Sequence, residues 1–388
     1  MSPSSYLLAL THARILTPTE EIEDGTVVIQ DGRILRVDRD APPPEARTLD
    51  LRGLIVAPGF VDLHTHGGGG FSLTSGDPDE LRGYAQWAVS TGVTSFLIAL
   101  VPAPREELVA QMRTLLPLLR APTNGARPLG FYLEGPFLST ERPGAFDPPS
   151  LHPPDVSELR GYLDAAEGNL RVLAIAPELP GAEAVIREAT AAGVVAALAH
   201  SDAGYEEAME GFSAGISHVT HCFNAMRLFH HRDPGCLGAV LNRPSVTAEI
   251  IADGVHAHPG AIELLLRAKS AAGTVLVSDG IPLAGLSDGV FELQGAKVRV
   301  EGGVARRGDG TLAGSTVTMD RAVANVWRRL LLRPSEAVTM ATVSPAAVIR
   351  EGSKGRISPG GDADIVVLAP DLEVEMTFVA GREVYRRH

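Results

Sequence analysis

The sequence predicts an α/β protein that consists of a (β/α)8 barrel and a small β-sandwich domain formed by both chain ends. Through the middle of the chain, short apolar segments alternate with segments of helical periodicity, as in parallel βα units. Both ends instead contain short apolar strands separated by turns. Since neither end is long enough to bury its own core, we expect residues 1–57 and 347–388 to form the β-domain and residues 58–346 the barrel.

The N-terminal part begins with a predicted strand at residues 6–11. Asp31-Gly32 follows, between apolar segments at 25–30 and 34–37. An Asp-Gly pair in this position favours a tight β-hairpin. The C-terminal part has the same character, with predicted strands at 365–368, 377–379 and 383–385.

Eight strands are predicted in the central part. They lie at residues 60–64, 93–100, 129–134, 171–176, 194–200, 218–222, 246–252 and 274–278. Helical patterns separate several of them, at residues 79–90, 105–119, 182–192, 205–212 and 261–271. Eight βα units favour a closed barrel, and an open doubly wound sheet is the alternative.

Polar residues follow the predicted barrel strands where each strand ends. They are His64 and His66 after the first strand, Glu134 after the third, His200 after the fifth, His221 in the sixth and Asp279 after the eighth. Residues i and i+2 of an extended chain face the same way, and barrel enzymes carry their sites at this end. Imidazole and carboxylate ligands suit Zn²⁺, with Fe²⁺, Co²⁺ or Mn²⁺ possible. The non-metal alternative is that the four histidines and Glu134 are hydrogen-bonded core residues.

The composition disfavours several classes of protein. The chain of 388 residues has a formal charge of −13 and no run of Lys or Arg, so a nucleic-acid partner is not expected. Its longest apolar segments are far shorter than the roughly 20 residues that span a membrane. Two cysteines and no recognisable signal peptide predict a cytoplasmic protein.

Several longer motifs run through almost the whole chain. They are APGFVDLHTHGGGG (57–70), YLEGPFL (132–138), AHSDA (199–203), THCFNAM (220–226), RDPG (232–235), IADGVH (251–256), VSDG (277–280), LAGSTVTM (312–319) and SKGRISPGGDADIVVL (353–368). In these motifs the chain resembles the N-acetylglucosamine-6-phosphate deacetylases of the amidohydrolase superfamily. The resemblance implies a metal-dependent barrel hydrolase that removes acetate from an amino-sugar phosphate and forms homodimers.

The resemblance also assigns roles to residues. Glu134, His200 and His221 would form the principal metal site, and His64 with His66 would allow a second ion. Contacts to the sugar phosphate are assigned to Ala145, Asn224, Ala225, Arg232, His256, Leu312, Ala313 and Gly314. Arg232 would reach the site of the neighbouring subunit.

The chemistry can be argued from the residues themselves. A divalent metal lowers the pKa of bound water toward about 7 and stabilises negative charge on an acyl oxygen. Asp279 is then placed to accept a proton from water during attack on the amide carbon and to return it to the departing amine. A structural or capping role is the alternative for Asp279.

The segment Arg142-Pro143-Gly144-Ala145-Phe146 departs from the family pattern, in which a histidine that helps to polarise the acetyl carbonyl follows Gly-Ala. Phe146 stands in its place. A second metal could polarise the carbonyl, the acyl specificity could differ, or a nearby residue such as His152 could substitute.

Three other functions compete with this prediction. Hydantoinase-like relatives carry a carboxylated lysine on the fourth strand, but the lysines of this chain are Lys269, Lys297 and Lys354. A deacetylase or deaminase with another amide substrate remains an alternative. An inactive assembly protein is disfavoured, because every expected ligand and Asp279 are retained.

Overall fold

The computed structural model describes residues 7–18, 20–121, 123–293, 296–330 and 332–387. Eight parallel strands form the centre of the fold, and the predicted (β/α)8 fold class is confirmed. The barrel strands are Phe60–Thr65, Val93–Leu100, Arg127–Glu134, Leu170–Ile175, Val195–Leu198, His218–Val219, Ala248–Ile251 and Thr274–Val277. Below they are called the first to the eighth barrel strand.

One helix follows each barrel strand. The eight helices are Pro78–Ala88, Arg105–Arg120, Val156–Ala166, Ala182–Ala191, Tyr205–Ala214, Gly235–Leu241, Pro259–Gly273 and Met319–Leu330. Their apolar faces pack on the barrel in one large core. The sequence patterns gave no bounds for the third, sixth and eighth of these helices, nor for Pro334–Met340 and Val343–Val348.

The strands form a closed barrel rather than an open sheet. The first six strands hydrogen-bond as one parallel sheet in the order sixth, fifth, fourth, third, second, first, and the seventh pairs with the eighth. Backbone bonds join these two groups on both sides: Cys222 N–H donates to the Glu249 carbonyl at 2.9 Å, and Asp279 N–H to the His64 carbonyl at 2.8 Å. All polar strand ends therefore face one mouth.

Strands from both chain ends form a second sheet. It contains Leu7–Leu16, Glu21–Gln30, Arg33–Asp38, Arg47–Asp50, Ile55–Pro58, Ile365–Leu368, Val374–Val379 and Arg382–Arg386. The strand Ile55–Pro58 lies between Leu7–Leu16 and Ile365–Leu368, which joins the ends. Asp31-Gly32 forms the predicted turn. Residues 1–6, where the predicted first strand begins, and residue 388 lie outside the described residues.

A three-stranded antiparallel sheet interrupts the eighth βα unit and was not predicted. Its strands are Gly289–Leu293, Ala296–Glu301 and Val304–Arg307. Val298, Val300 and Ala305 face inward and pack with Ile281 and Ala313 in a small separate core. This sheet therefore stands beside the barrel mouth. Within the described residues, no helix has the length and apolar character needed to span a membrane.

Candidate metal centre and substrate cavity

The ligand candidates lie where the barrel strands end abruptly. The fifth, sixth and eighth strands were predicted to reach His200, Cys222 and Ser278, but they stop two, three and one residues earlier. The reason is backbone conformation: His200, His221 and Asp279 have φ of 41°, 22° and 46°. Left-handed conformations at non-glycine residues cost about 1–3 kcal/mol each and concentrate at functional sites. The turns they produce direct these side chains toward the barrel axis.

Glu134 is the centre of the cluster. Its Oε1 lies 3.1 Å from His200 Nε2 and 2.9 Å from His221 Nε2, while its Oε2 lies 3.1 Å from the Nε2 atoms of both His64 and His66. Asp279 Oδ1 is 3.3 Å from His66 Nε2. Two groups result, and Glu134 contributes to both: Glu134, His200 and His221 form one, and His64, His66, Glu134 and Asp279 form the other.

Groups behind the ligands hold three of the imidazole rings. His66 Nδ1 lies 3.0 Å from the Ala99 carbonyl and His200 Nδ1 lies 2.9 Å from the Arg142 carbonyl. His64 Nδ1 instead lies 2.9 Å from the carboxylate of Glu249. Carbonyl and carboxylate oxygens only accept hydrogen bonds, so each Nδ1 donates. In a neutral ring the Nε2 atom then carries a lone pair.

This donor set fits a cation. Lone pairs on the Nε2 atoms face carboxylate oxygens, and the Nε2 atoms of His200 and His221 are only 3.2 Å apart. Such contacts are repulsive unless positive charge lies between them. Among the described residues, the ion pairs of Glu134 and Asp279 are all with histidines, so no lysine or arginine supplies that charge. Neutral imidazoles and carboxylates are ligands of Zn²⁺ and similar divalent ions.

Protons on the histidines are the alternative source of that positive charge. Burial raises the pKa of Glu134, but the charge of His64 and the hydrogen bonds of His200 and His221 outweigh it and hold that pKa well below its ordinary value. The pKa of Asp279 is also lowered, because His64 and His66 outweigh the effect of burial. Burial lowers the pKa of His66, yet Asp279 and Glu134 raise it to about 9. The carboxylates are ionised and attract positive charge.

A cavity of about 790 Å³ opens above this cluster. Its walls include Glu134, His66, His200, His221 and Asp279, and the volume suits a small ligand. Seven of the eight residues that the resemblance assigned to the substrate also line it: Ala145, Asn224, Ala225, His256, Leu312, Ala313 and Gly314. His256 Nδ1 lies 2.6 Å from Asp253, which fixes its ring.

Arg232 is the exception among the assigned substrate residues. It is exposed and does not line the cavity of its own chain. Its guanidinium lies 3.4 Å from His231 Nε2. The expectation that it reaches a neighbouring subunit stays a prediction.

Phe146 lines the cavity where the family pattern has a histidine. Its ring lies 5.0 Å from that of His200, centroid to centroid. His152, one suggested substitute, is absent from the cavity wall and lies 3.5 Å from Glu158. The side chain of Phe146 therefore contributes packing beside a ligand and no hydrogen bond.

Sequence reasoning missed two groups at this site. Glu249 and His218 lie behind the cluster, and Arg307 lines the cavity on the three-stranded sheet. A signal for Glu249 was present, because an acidic residue inside an apolar barrel strand needs a buried partner. Arg307 gave no such signal, since its direction depends on the register of a sheet that was not predicted.

Comparisons with known proteins agree with this geometry. Residues 55–384 match the model of the Amidohydrolase family. The N-acetylgalactosamine-6-phosphate deacetylase of Escherichia coli O157:H7 is 34% identical, over 95% of this chain and 97% of that protein. The human N-acetylglucosamine-6-phosphate deacetylase is 35% identical, over 98% of this chain and 96% of that protein.

A solved structure is also similar over nearly its whole length. It is a variant of the N-acetyl-D-glucosamine-6-phosphate deacetylase of Mycobacterium smegmatis in complex with N-acetyl-D-glucosamine-6-phosphate, with a TM-score of 0.92 and 37% identity. The match covers 97% of this chain and 99% of that chain. The similarity extends over the β-domain as well as the barrel.

Proposed function

The chain belongs to the amidohydrolase family, and on that premise we propose that it hydrolyses the acetamide of N-acetyl-D-glucosamine 6-phosphate, releasing acetate and D-glucosamine 6-phosphate. The observation that carries the proposal is that the two ligand groups, which share Glu134, lie at the floor of one cavity. The wall of that cavity contains seven of the residues that were assigned to the sugar phosphate. The reaction is one of amino-sugar catabolism.

Asp279 is the proposed general base and acid. Its carboxylate lines the cavity, is ionised, and contacts the ligands through His66. It accepts a proton from the attacking water and later donates it to the departing nitrogen, so that the amine leaves neutral. The low pKa of Asp279 keeps the carboxylate ready to accept that proton at neutral pH.

Glu134, His200 and His221 would hold the principal ion, and His64 with His66 a second one, with Zn²⁺ preferred for this ligand set. A bound divalent ion lowers the pKa of water and polarises an acyl oxygen. Phe146 has no polar atom to share in that polarisation. It makes the cavity wall beside His200 apolar.

The phosphate end requires positive charge from this chain or a second copy. Arg307 is the one Lys or Arg among the described residues of the cavity wall, and His256 lies on the same wall. We assign the phosphate to these two with Asn224, Ala225 and the 312–314 segment. Arg232 would add a contact across a homodimer. Leu228 and Phe229, beside it in sequence and 78% and 54% exposed, support an interface there.

A second candidate substrate is N-acetylgalactosamine 6-phosphate, because a relative at 34% identity is named for it. The two sugars differ only at the C4 hydroxyl. The same ligands and phosphate contacts serve both.

The test is acetate release by metal-loaded protein from both sugar phosphates and from the two sugars without phosphate. We expect release from the phosphorylated forms, with N-acetylglucosamine 6-phosphate preferred. Release from none of the four contradicts the proposed function, while equal rates without phosphate contradict only the assigned phosphate contacts.

Both cysteines, Cys222 and Cys236, are free and buried, which supports the expected cytoplasmic location.

A further inference from the structure

We propose that Glu249 is a positioning residue that makes His64 a metal ligand, and that it thereby determines whether the group of His64, His66, Glu134 and Asp279 holds an ion. This inference rests on the metal requirement of the proposed function. The resemblance and the comparisons assign no role to Glu249. It is fully buried, with 0% of its surface exposed, and it does not line the cavity. It therefore cannot contact the substrate.

Glu249 lies on the seventh barrel strand, directly behind the cluster. Its Oε2 accepts hydrogen bonds from His64 Nδ1 at 2.9 Å and from the backbone N–H of His221 at 3.1 Å. Its Oε1 lies 3.1 Å from His218 Nε2. Both oxygens are thus occupied by groups on the first and sixth strands. This is the arrangement expected of a carboxylate that orients a metal-binding histidine.

The contact with His64 fixes the tautomer of that ring. A carboxylate accepts hydrogen bonds and does not donate them, so His64 Nδ1 must carry its proton. The lone pair then belongs to His64 Nε2, which lies 3.1 Å from Glu134 Oε2. With the opposite tautomer, an N–H group would point at the cluster and no ion could bind there. Stacking of His64 on Tyr132, with 4.5 Å between ring centroids, holds the ring plane but leaves the tautomer open.

The other ligands do not depend on Glu249 in this way. Carbonyl oxygens hold His66 and His200, and Glu249 contacts only the backbone of His221. His64 is thus the ligand whose ring is held by a side chain. Loss of that carboxylate should weaken the group containing His64 and leave the group of Glu134, His200 and His221 occupied.

The alternative role for Glu249 is purely structural, as a buried link between three strands. Glu249→Met separates the two roles, because methionine nearly keeps the volume but has no oxygen to accept the hydrogen bond of His64 Nδ1. His218→Gln is the matched control. It changes the partner of the other carboxylate oxygen, keeps a donor there and leaves the bond to His64 intact.

The measurement is zinc per chain by mass spectrometry after dialysis, with zinc affinity from calorimetry. We expect two ions in the wild type and in His218→Gln, and one in His64→Ala and in Glu249→Met. Affinity for the second ion should fall roughly 10–100-fold in Glu249→Met. Because Glu249 acts through His64, the double variant should hold the same single ion as His64→Ala.

Two results would overturn the inference. One is a Glu249→Met protein that binds the second ion as tightly as the wild type, and the other is a His64→Ala protein with unchanged stoichiometry. If Glu249→Met does not fold, Glu249→Asp withdraws the acceptor by one methylene, and retention of both ions there contradicts the proposal equally. Failure of the proposed function appears separately, as absence of acetate release by the wild type.

Discussion

Lys354 in the β-domain and Glu134 at the barrel mouth are both buried charged residues, with 5% and 2% of their surfaces exposed, but their charges are neutralised differently. Lys354 Nζ lies 3.0 Å from Asp362 and 2.6 Å from Asp364, so lysine and carboxylates compensate one another within the chain. Among the described residues, the ion pairs of Glu134 are all with imidazoles, whose Nε2 atoms face its oxygens. The first cluster is complete as the chain folds, whereas the second takes its positive charge from protons or from a bound cation.

The buried charges around Lys354 therefore stabilise the fold, whereas those around Glu134 belong to the functional site. Burying a charge without compensation costs several kcal/mol, so a fold keeps an incomplete cluster only where a ligand completes it. The left-handed φ values of His200, His221 and Asp279 add strain at the barrel mouth. The positive-φ residues of the β-domain lie instead at turns, such as Asp31, or at irregularities of the strand pairing, such as His12 and Asp24. Strain and missing charge together mark the site.

The largest predicted effect is that of Asp279→Asn. We expect the rate of acetate release to fall roughly 10²–10⁴-fold, because asparagine cannot accept and return the proton. Zinc at the group of Glu134, His200 and His221 should remain, since Asp279 contacts the other group. Steady-state kinetics and metal analysis test this. Asp155→Asn, at a helix N-cap that asparagine also fills, is the matched control and should be fully active. An active Asp279→Asn protein would remove Asp279 from the mechanism.

The second prediction concerns the complete cluster. Lys354→Met leaves Asp364 without its cation and Asp362 with only the exposed Arg33, and it should lower the free energy of unfolding by about 3 kcal/mol. Urea unfolding measures this, with exposed Lys297→Met as the control. Removal of metal by a chelator should destabilise both variants equally, because the proposed ion site lies at the barrel mouth and includes neither lysine. A chelator effect that disappears in Lys354→Met contradicts the separation of the two clusters.

The pH dependence of the stability difference between wild type and Lys354→Met follows from the pKa of Asp362. Burial raises its pKa, but the charge and hydrogen bond of Lys354 lower it below the ordinary value of 3.8. A lowered folded-state pKa gives stability that is fully present above the unfolded value and is lost as the pH falls through the folded one. The gap between wild type and Lys354→Met should therefore be constant at neutral pH and narrow below about pH 4. A gap that widens in acid would be contrary to this ion pair.

The cluster at the barrel mouth could largely be predicted from the sequence. Side chains alternate along a strand, and barrel geometry places the strand ends at one mouth. His64, His66, Glu134 and Asp279 were predicted as one cluster for that reason. The predicted ends of the fifth and sixth barrel strands were wrong. The left-handed residues His200 and His221 lie beyond the ends of these strands, although the apolar sequence pattern continues. Local sequence does not reveal such strain, because the site imposes it from outside the strand.

The three-stranded sheet was not predicted from the sequence for a different reason. Its strand Ala296–Glu301 alternates charged and apolar residues, but the short flanking strands carry weak patterns, and their pairing determines which side faces the barrel. Arg307 pairs with Val298 and follows the inward-facing Ala305 by two residues, so it shares their face. Only the register makes it a residue of the cavity.

Arg307 therefore offers the smallest and most specific prediction. Arg307 is a half-buried cation of the cavity wall. Unlike Lys354, it forms no salt bridge among the described residues. A hydrogen bond between charged partners contributes about 1.5 kcal/mol or more, so Arg307→Met should raise the KM for the sugar phosphate about tenfold with little change in kcat. Activity toward the sugar without phosphate should be unaltered.

Arg306→Met is the matched control for this prediction. The guanidinium of Arg306 is exposed and bonds to the Gly310 carbonyl at 2.9 Å. Its substitution should leave both KM values unchanged. If Arg307→Met raises the KM for both sugars equally, the residue shapes the wall and does not bind phosphate. An unchanged KM for the phosphorylated sugar would assign the positive charge to His256 and to Arg232 of a second copy, and the cavity of a single chain would then be as incomplete at its phosphate end as it is at its metal end.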